Sequence, residues 1–235
     1  MRGAIPGVLA ILLTLSQAVS FSQSSGQPNV PPRAAIDITD EEVKAVLAHQ
    51  PPSIDRQFRV VDFGTYQLAV GVIHRGPTPA PAAAPGAGGG AQSPGGRGAA
   101  TTAPPRAPCG QTTGESSGVN GIYHDATVET YIITSGSGVL LTGGYIMNGR
   151  RYAPDDQVTR ILNGPSCTGT IAGPNLVKRT VKAGDIIIIP ENVPHGWTGV
   201  TDHVTYLSVR PDPKKVLQTG YVHPAIAAMR KAPQR

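Results

Sequence analysis

The stretch GIYHDATVETYIITSGSG, residues 121–138, combines a strand pattern with two side chains of the kinds that bind metals. In a strand over 128–134, Glu129 and Tyr131 share one face with an isoleucine, because successive side chains of a strand point to opposite faces. A carboxylate on such a face is costly to bury unless a cation is paired with it. His124 lies upstream across a turn and could help to bind that cation. The alternative is a solvated face with an ordinary charged residue and a surface histidine.

A second stretch, AGDIIIIPENVPHGW, residues 183–197, places another histidine in a rigid setting. Four isoleucines form a strand that ends at Pro190, and Pro194 stands directly before His195. A histidine fixed between a proline and a glycine suits a ligand that must keep one orientation. Taken alone, the same pattern also fits a turn histidine without a function.

The two stretches together resemble the two sequence motifs of the cupin family. The first motif is Gly, five residues, His, one residue, His, three or four residues, Glu, six residues, Gly. His124 falls on its second histidine, Glu129 follows after four residues, and Gly136 follows after six more. The position of the first histidine holds Ile122, so one ligand of the family pattern is missing.

The second motif is Gly, five residues, Pro, one residue, Gly, two residues, His, three residues, Asn. Gly184, Pro190 and His195 stand at these spacings, whereas Asn192 replaces the inner glycine and Gly199 replaces the final asparagine. The resemblance covers about residues 118–210, and 58–75 supply earlier strands.

The resemblance implies an all-β fold, a small antiparallel jelly-roll barrel with a metal in its mouth. The ligands that remain are His124, Glu129 and His195. Two imidazoles and one carboxylate are the ligand types that hold non-haem Fe(II), and zinc also accepts three protein ligands and water. The cofactor is therefore expected to be a divalent transition metal, Fe, Mn, Zn, Ni or Cu, of undetermined identity. The alternative is a cupin whose site has decayed and binds no metal.

Several other residues are candidates for the pocket around this site. Tyr131 lies on the same predicted strand face as Glu129, and Trp197 lies two residues after His195 and so points to the same side. Both could line a substrate pocket or simply belong to the core. His203 could supply a fourth nitrogen if its strand points inward. His74 and Arg75 end an early strand, where a solvated strand end is preferred to a substrate clamp.

The N-terminus resembles a secretory signal peptide over residues 1–22. Arg2 precedes an apolar run over 8–15 and small residues follow, with cleavage after Ser20 or Ser22. The run is shorter than the roughly 20 residues that a membrane span requires, so no stable membrane anchor is expected after cleavage. The expected location is periplasmic or extracellular.

The rest of the chain divides by composition. Thr39 and Glu42 form a capping-box pair that predicts a short helix. Twenty-six of the 33 residues over 76–108 are Gly, Ala or Pro, which favours disorder because such a segment buries little apolar surface. The predicted organisation is a signal peptide over 1–22, a flexible N-terminus over 23–35, the helix and first strands over 36–75, a disordered loop over 76–117, the cupin barrel core over 118–212, and a tail with a helical pattern over 213–235.

Charge and cysteine content exclude some classes of function. The formal net charge is +5, but Lys and Arg are scattered and no aromatic residues interleave with them, so no nucleic-acid partner is expected. In an exported protein Cys109 and Cys167 fit a disulfide, and two free thiols are the alternative.

The resemblance implies a metal-binding cupin that acts on a small organic molecule. An oxidoreductase of dioxygenase type is the preferred function, and a metal-dependent isomerase or lyase is an alternative on the same fold. A non-catalytic extracytoplasmic protein that binds a small ligand is the alternative from a different class. The family also pairs through sheet edges, so a homodimer is a further expectation.

Overall fold

The computed structural model describes residues 31–78, 106–113 and 118–231. The predicted signal peptide over 1–22, and the parts of the predicted flexible segments over 23–30, 79–105 and 114–117, lie outside these residues. In the described part of the chain, no helix is long and apolar enough to cross a membrane. The elements are α1 Asp40–Ala48, β1 Asp55–Asp62, β2 Gln67–Arg75, β3 Pro108–Cys109, β4 Val119–His124, β5 Glu129–Thr142, β6 Tyr145–Arg151, a π-helical turn Val158–Leu162, β7 Ser166–Ala172, β8 Val177–Lys182, β9 Ile186–Ile189, β10 His195–Thr198, β11 Val204–Asp212 and α2 Pro224–Lys231.

The strands form two antiparallel sheets that share one long strand. The first sheet has the order β1-β2-β11-β5-β9, and the second has the order β8-β5-β10-β4-β7-β6-β3. Consecutive strands of the chain are seldom neighbours, which is the connectivity of a jelly roll rather than of a meander. The predicted fold class, an all-β cupin-type antiparallel barrel with a short N-terminal helix, is confirmed.

The strand β5 passes from one sheet into the other at a bend. Its first residues pair with β9 and β11, and residues 137–142 pair with β8 and β10. At the bend Gly136 has φ of 72°, and a Cβ there would collide with the carbonyl oxygen of His203. Only glycine combines that conformation with that close approach. The glycine of the first motif is therefore a structural requirement of the bend.

The main core lies between the two sheets. It is built by inward-facing residues of β2, β5, β8, β9, β10 and β11, because alternate residues of each strand face inward, and by Val200, which follows β10. These residues are Ile73, Tyr131, Ile133, Leu140, Val181, Ile187, Ile189, Trp197, Val200, Val204 and Tyr206.

The two helices cover the outer face of the first sheet. Val46 of α1 and Ile226 of α2 pack with Phe58 and Val72 into a separate cluster. The capping box that the sequence predicts at α1 is present, and α2 is the helix expected within the C-terminal tail.

The long segment between the two motifs widens the second sheet. It forms β6 and β7, which pair with each other, and β7 also pairs with β4. A disulfide between Cys109 and Cys167 joins β3 to β7, so the disulfide alternative is the correct one. Residues 106–113, which the sequence assigns to the disordered loop, are ordered here because β3 pairs with β6 and is held by this disulfide.

Candidate metal centre

The three predicted ligands converge at one end of the barrel. His124 is the last residue of β4, Glu129 the first of β5, and His195 the first of β10. Glu129 Oε2 lies 3.2 Å from His124 Nε2 and 3.3 Å from His195 Nε2. All three side chains are buried, with at most 3% of each residue exposed. The candidate ligand atoms of the three residues lie within 4.8 Å of one another.

The second motif folds directly onto the first. Asn192 occupies the place of the motif's inner glycine with φ of 61°, a left-handed conformation that asparagine tolerates better than most residues. Its backbone N–H donates to the carbonyl oxygen of His124 at 2.8 Å. This turn therefore sets the distance between His124 and His195, and the departure from the motif preserves the backbone shape.

The hydrogen bonds of the two histidines indicate which ring nitrogen carries the proton. His195 Nδ1 lies 3.0 Å from the carbonyl oxygen of Val193, which can only accept. His124 Nδ1 lies 2.9 Å from Ser166 Oγ, and this hydroxyl already donates its hydrogen to the carbonyl oxygen of Gly164 at 2.9 Å. Each Nδ1 must therefore carry the ring hydrogen and donate it. In the neutral rings each Nε2 is then unprotonated and presents a lone pair.

The space between the three side chains is thus lined by acceptors. His195 Nε2 is buried and has no hydrogen-bond partner in the described part of the chain. Two imidazole lone pairs and a carboxylate oxygen repel one another unless a cation or a proton lies between them. For metal bonds of about 2.1 Å, neighbouring ligand atoms lie about 3.0 Å apart at right angles and about 3.4 Å apart in a tetrahedron. The observed 3.2 and 3.3 Å separations fit this range, so the residues fit a divalent transition metal.

The other oxygen of Glu129 is held by a charged network that the sequence analysis missed. Ser208 Oγ donates to Oε1 at 2.6 Å and Arg210 Nε donates to it at 2.9 Å. Arg210 also contacts Asp55 Oδ2 at 3.0 Å and Gln57 Oε1 at 3.2 Å. Glu129 is therefore fixed through one oxygen while the other faces the histidines.

Electrostatics keep this arrangement in a defined protonation state. Burial raises the pKa of Glu129, but the positive charge of the Arg210 guanidinium opposes this, and the pKa lies well below its ordinary value. Burial lowers the pKa of His124, and the adjacent Glu129 carboxylate, which favours the protonated ring, opposes this only in part. A glutamate that stays ionised beside a neutral histidine provides ligands that are ready to bind a metal.

The predicted pocket aromatics lie next to the cluster and belong to the core. Tyr131 packs on His195 with ring centroids 6.1 Å apart and on Tyr206 at 4.2 Å. Trp197 stacks on Tyr206 at 5.3 Å and donates from Nε1 to the Tyr206 hydroxyl at 3.0 Å. Tyr206 is a member of this aromatic group that the sequence analysis did not name.

The structure does not bring His203 to the cluster. Its Nδ1 contacts Asp202 at 2.6 Å and its Nε2 contacts Ser135 at 3.1 Å, while its ring stacks on His74. In β11 the even-numbered residues face inward, and His203 precedes the strand with the opposite parity. Among the described residues, the group of possible ligands therefore contains His124, Glu129 and His195 but not His203. Ile122 pairs with His195 across β4 and β10 and offers no ligand atom.

Arg75 differs from the solvated strand end that the sequence favours. It is partly buried, and its Nε donates to the Tyr206 hydroxyl at 3.2 Å. His74, one residue earlier, is exposed, as expected for the opposite face of β2.

No protein-family model matches the sequence, and no curated protein matches it. Among solved structures, the chain has a remote likeness to the DMSP lyase DddQ from Ruegeria pomeroyi DSS-3, with 14% identity, 61% of this chain and 37% of that chain covered, and a TM-score of 0.27. For an RmlC-like cupin family protein from Methanocaldococcus jannaschii the values are 15% identity, 71% and 89% coverage, and a TM-score of 0.29. For BH2720 from Bacillus halodurans they are 13% identity, 86% and 99% coverage, and a TM-score of 0.36.

These solved structures include a cupin-family protein with a double-stranded β-helix fold. The chain spans little more than a third of the length of the DMSP lyase. With identities below 25% and TM-scores below 0.5, these likenesses carry no conclusion about what this chain binds or does.

Proposed function

We propose that this chain is a metal-binding member of the cupin superfamily that acts on a small organic molecule, as an oxidoreductase of dioxygenase type. The observation that carries the proposal is the convergence of three buried acceptor atoms, from His124, Glu129 and His195, with no donor between them. A divalent metal bound there would supply Lewis-acid or redox chemistry next to coordination positions that the protein leaves open.

The residues around the ligands have distinct tasks in this proposal. Ser166 and the carbonyl oxygen of Val193 orient the two imidazoles, as partners of ligating histidines generally do. Arg210 keeps Glu129 ionised and directs its free oxygen towards the histidines. The aromatic core beside His195 excludes water from that side of the cluster.

The second candidate is a non-catalytic protein that captures a small ligand. The near-complete burial of all three ligands fits it, because a buried metal can stabilise the barrel without being reached by a substrate. An isomerase or lyase remains a further alternative on this fold.

We also propose that the protein is exported to the periplasm or the extracellular space. The signal-like residues 1–22 support this, and so does the Cys109–Cys167 disulfide, because disulfides persist in oxidising compartments. The small-molecule ligand and the homodimer stay predictions.

Metal analysis of matched variants tests the metal site. The purified protein, produced in cultures supplemented in turn with Fe, Mn, Zn, Ni or Cu, should carry about one ion per chain, and Glu129→Gln should lose it because a neutral amide is a poor ligand. Glu42→Gln changes a glutamate that is also buried, on the other side of the first sheet, and should retain the metal. If the wild type carries no metal from any culture, or if Glu129→Gln retains it, the proposal is wrong.

Oxygen uptake separates the two candidate functions. The metal-loaded protein should consume O2 with a catechol-like or diketone substrate, and Glu129→Gln should not. A metal-loaded wild type that binds such molecules without consuming O2 or converting them would favour the ligand-binding protein.

A further inference from the structure

A second polar group lies inside the barrel, beyond the metal ligands. Arg75 pairs with Val204 across β2 and β11 and lies on the same face as Ile73, which belongs to the main core. Its Nε donates to the Tyr206 hydroxyl. Arg75 is therefore an arginine whose side chain is turned towards the barrel interior.

The two terminal amino groups of Arg75 form no hydrogen bond or ion pair with a described residue, and neither is among the fully buried atoms that lack a partner, so both are accessible to water or a ligand. Arg210, the other arginine of this interior, contacts the two carboxylates of Asp55 and Glu129. Arg75 has no ion pair among the described residues, although the Asp55 carboxylate is near enough to attract its charge. A partly buried guanidinium without a counter-ion is unusual, because arginine is rarely buried unless it is paired.

Tyr131 adds a further donor that lacks an acceptor. The residue is 3% exposed, and no hydrogen bond joins its hydroxyl to another described residue, but the hydroxyl is not one of the fully buried atoms that lack a partner, so water or a ligand can reach it. The Tyr206 oxygen already receives hydrogen bonds from both Arg75 and Trp197, so it cannot serve Tyr131 well. The Arg75 guanidinium and the Tyr131 hydroxyl are near enough for the charge of Arg75 to act on that hydroxyl.

The acceptors of this region do not match the donors. Asp55 Oδ1 is buried without a partner among the described residues, and the charge of Asp55 acts on Arg75. One oxygen cannot accept from both amino groups of Arg75 and from the Tyr131 hydroxyl. Water or the acceptor oxygens of a ligand would therefore complete the hydrogen bonds of these donors.

We propose that Arg75 and the Tyr131 hydroxyl form a carboxylate-binding subsite in the barrel interior, next to the aromatic residues that contact the metal ligand His195. The guanidinium fork matches the two oxygens of a carboxylate, and Tyr131 packs both on Tyr206, which Arg75 bonds, and on His195. The molecule that the protein acts on or captures is then a small carboxylic acid. This inference rests on the proposed function, because it names the substrate class of the same site.

The chain provides its own reporter for the test. Trp197 is the single tryptophan of the sequence, and its Nε1 shares the Tyr206 hydroxyl with Arg75. The metal-loaded protein is titrated with acetate, lactate and benzoate, each matched with its neutral amide, and with phosphate. Trp197 fluorescence and calorimetry follow binding. At least one carboxylate should bind saturably and change the fluorescence, while its amide should bind at least about 10-fold more weakly.

Variants assign the binding to the subsite. Arg75→Gln should weaken the carboxylate about 10- to 100-fold, Arg75→Lys should weaken it less, and Tyr131→Phe should weaken it about 3- to 10-fold. Arg56→Gln is the matched control, because Arg56 is also a strand arginine of the first sheet without a side-chain hydrogen bond in the described residues. It should leave the carboxylate affinity unchanged.

Two sets of results would overturn the proposal. In the first, no carboxylate binds, or an amide or phosphate binds as tightly as the best carboxylate. In the second, Tyr131→Phe and Arg75→Gln bind as the wild type does. Metal content is measured on the same samples, so a loss of carboxylate affinity with full metal content concerns this subsite alone, whereas absence of metal from the wild type concerns the proposed function.

Discussion

Glu42 and Glu129 are two buried glutamates with opposite hydrogen-bond environments. Both are at most 5% exposed, both contact arginine, and the pKa of each lies below its ordinary value. Both oxygens of Glu42 receive donors, from Arg59 and Arg230 on Oε1 and from the backbone N–H of Thr39 on Oε2. Glu129 receives donors on Oε1 alone, and its Oε2 faces two imidazole lone pairs.

The difference shows what separates a structural carboxylate from a candidate ligand. Burial and an arginine partner are common to both residues, so neither property identifies a site. The criterion is whether the second oxygen has a donor. Both oxygens of Glu42 have hydrogen-bond donors, and this residue holds α1 and α2 to the sheet. Oε2 of Glu129 gains a favourable partner only when a cation binds.

Removing the arginine beside each glutamate should give the largest contrast. Arg210→Met leaves the buried Glu129 and the partly buried Asp55 without their cation and should cost about 3–5 kcal/mol of unfolding free energy. Arg59→Met should cost less, because Glu42 keeps Arg230 and the Thr39 N–H. Urea unfolding of the metal-free proteins measures both.

Metal addition sharpens this contrast. The ion found in the wild type should restore part of the stability of Arg210→Met, because it binds the folded state and supplies positive charge to Glu129. It should not restore Arg59→Met. Equal losses in the two variants, or equal recovery with metal, would contradict the distinction between the two glutamates.

Removing the hydroxyl that orients His124 should have an intermediate effect. Ser166→Ala should lower metal affinity about 10- to 100-fold, which corresponds to about 1.4–2.7 kcal/mol, because the partner of a ligating histidine fixes its orientation. Competition with a chelator measures it. Thr168→Val is the control, since Thr168 lies on the same strand and bonds to the carbonyl oxygen of Gly121 instead. Similar affinities of the two variants would refute the role of Ser166.

The smallest effect is expected at the exposed partner of Glu42. The Arg230 side chain is 55% exposed, so Arg230→Met should cost at most about 1 kcal/mol at neutral pH. Burial raises the pKa of Glu42, but the Thr39 N–H and the arginines outweigh it. A lowered carboxyl pKa stabilises the fold above its ordinary value of 4.5 and this stability is lost as the pH falls through the lowered value.

The Arg230→Met difference should therefore be largest at neutral pH and vanish in acid. Urea unfolding at a series of pH values from about 7 to 3 measures it. A difference that stays constant over this range would show that Arg230 acts through packing rather than through the charge of Glu42.

The ligand set could be predicted because its information is local. His124 and Glu129 lie within one motif, and His195 lies in a second motif whose turn fixes its orientation. The capping box of Thr39 and Glu42 is local in the same sense, since both residues belong to one helix turn. Such short spacings determine structure with little help from the rest of the chain.

The network around the ligands could not be predicted because it depends on strand register. Arg210 meets Glu129 from 81 residues away and Asp55 from 155 residues away. The sequence offered one signal, the alternation in VTYLSVR, which places Tyr206, Ser208 and Arg210 on one face. His203 has an odd number and therefore does not belong to this inward face. If Tyr206 is taken as a core residue, the same alternation predicts that Arg210 also points into the interior.

The place of β11 in the first sheet has a consequence for how the protein folds. The N-terminal hairpin of β1 and β2 pairs with β11, so that Gln67 contacts Asp212 across 145 residues. Strand pairs between such distant segments form slowly, because the chain loses conformational entropy in closing the long loop before the native contacts compensate for it. The arginine that holds Glu129 arrives with this strand. The candidate centre is therefore complete only once β11 has paired, because Ser208 and Arg210 of this strand fix one oxygen of Glu129.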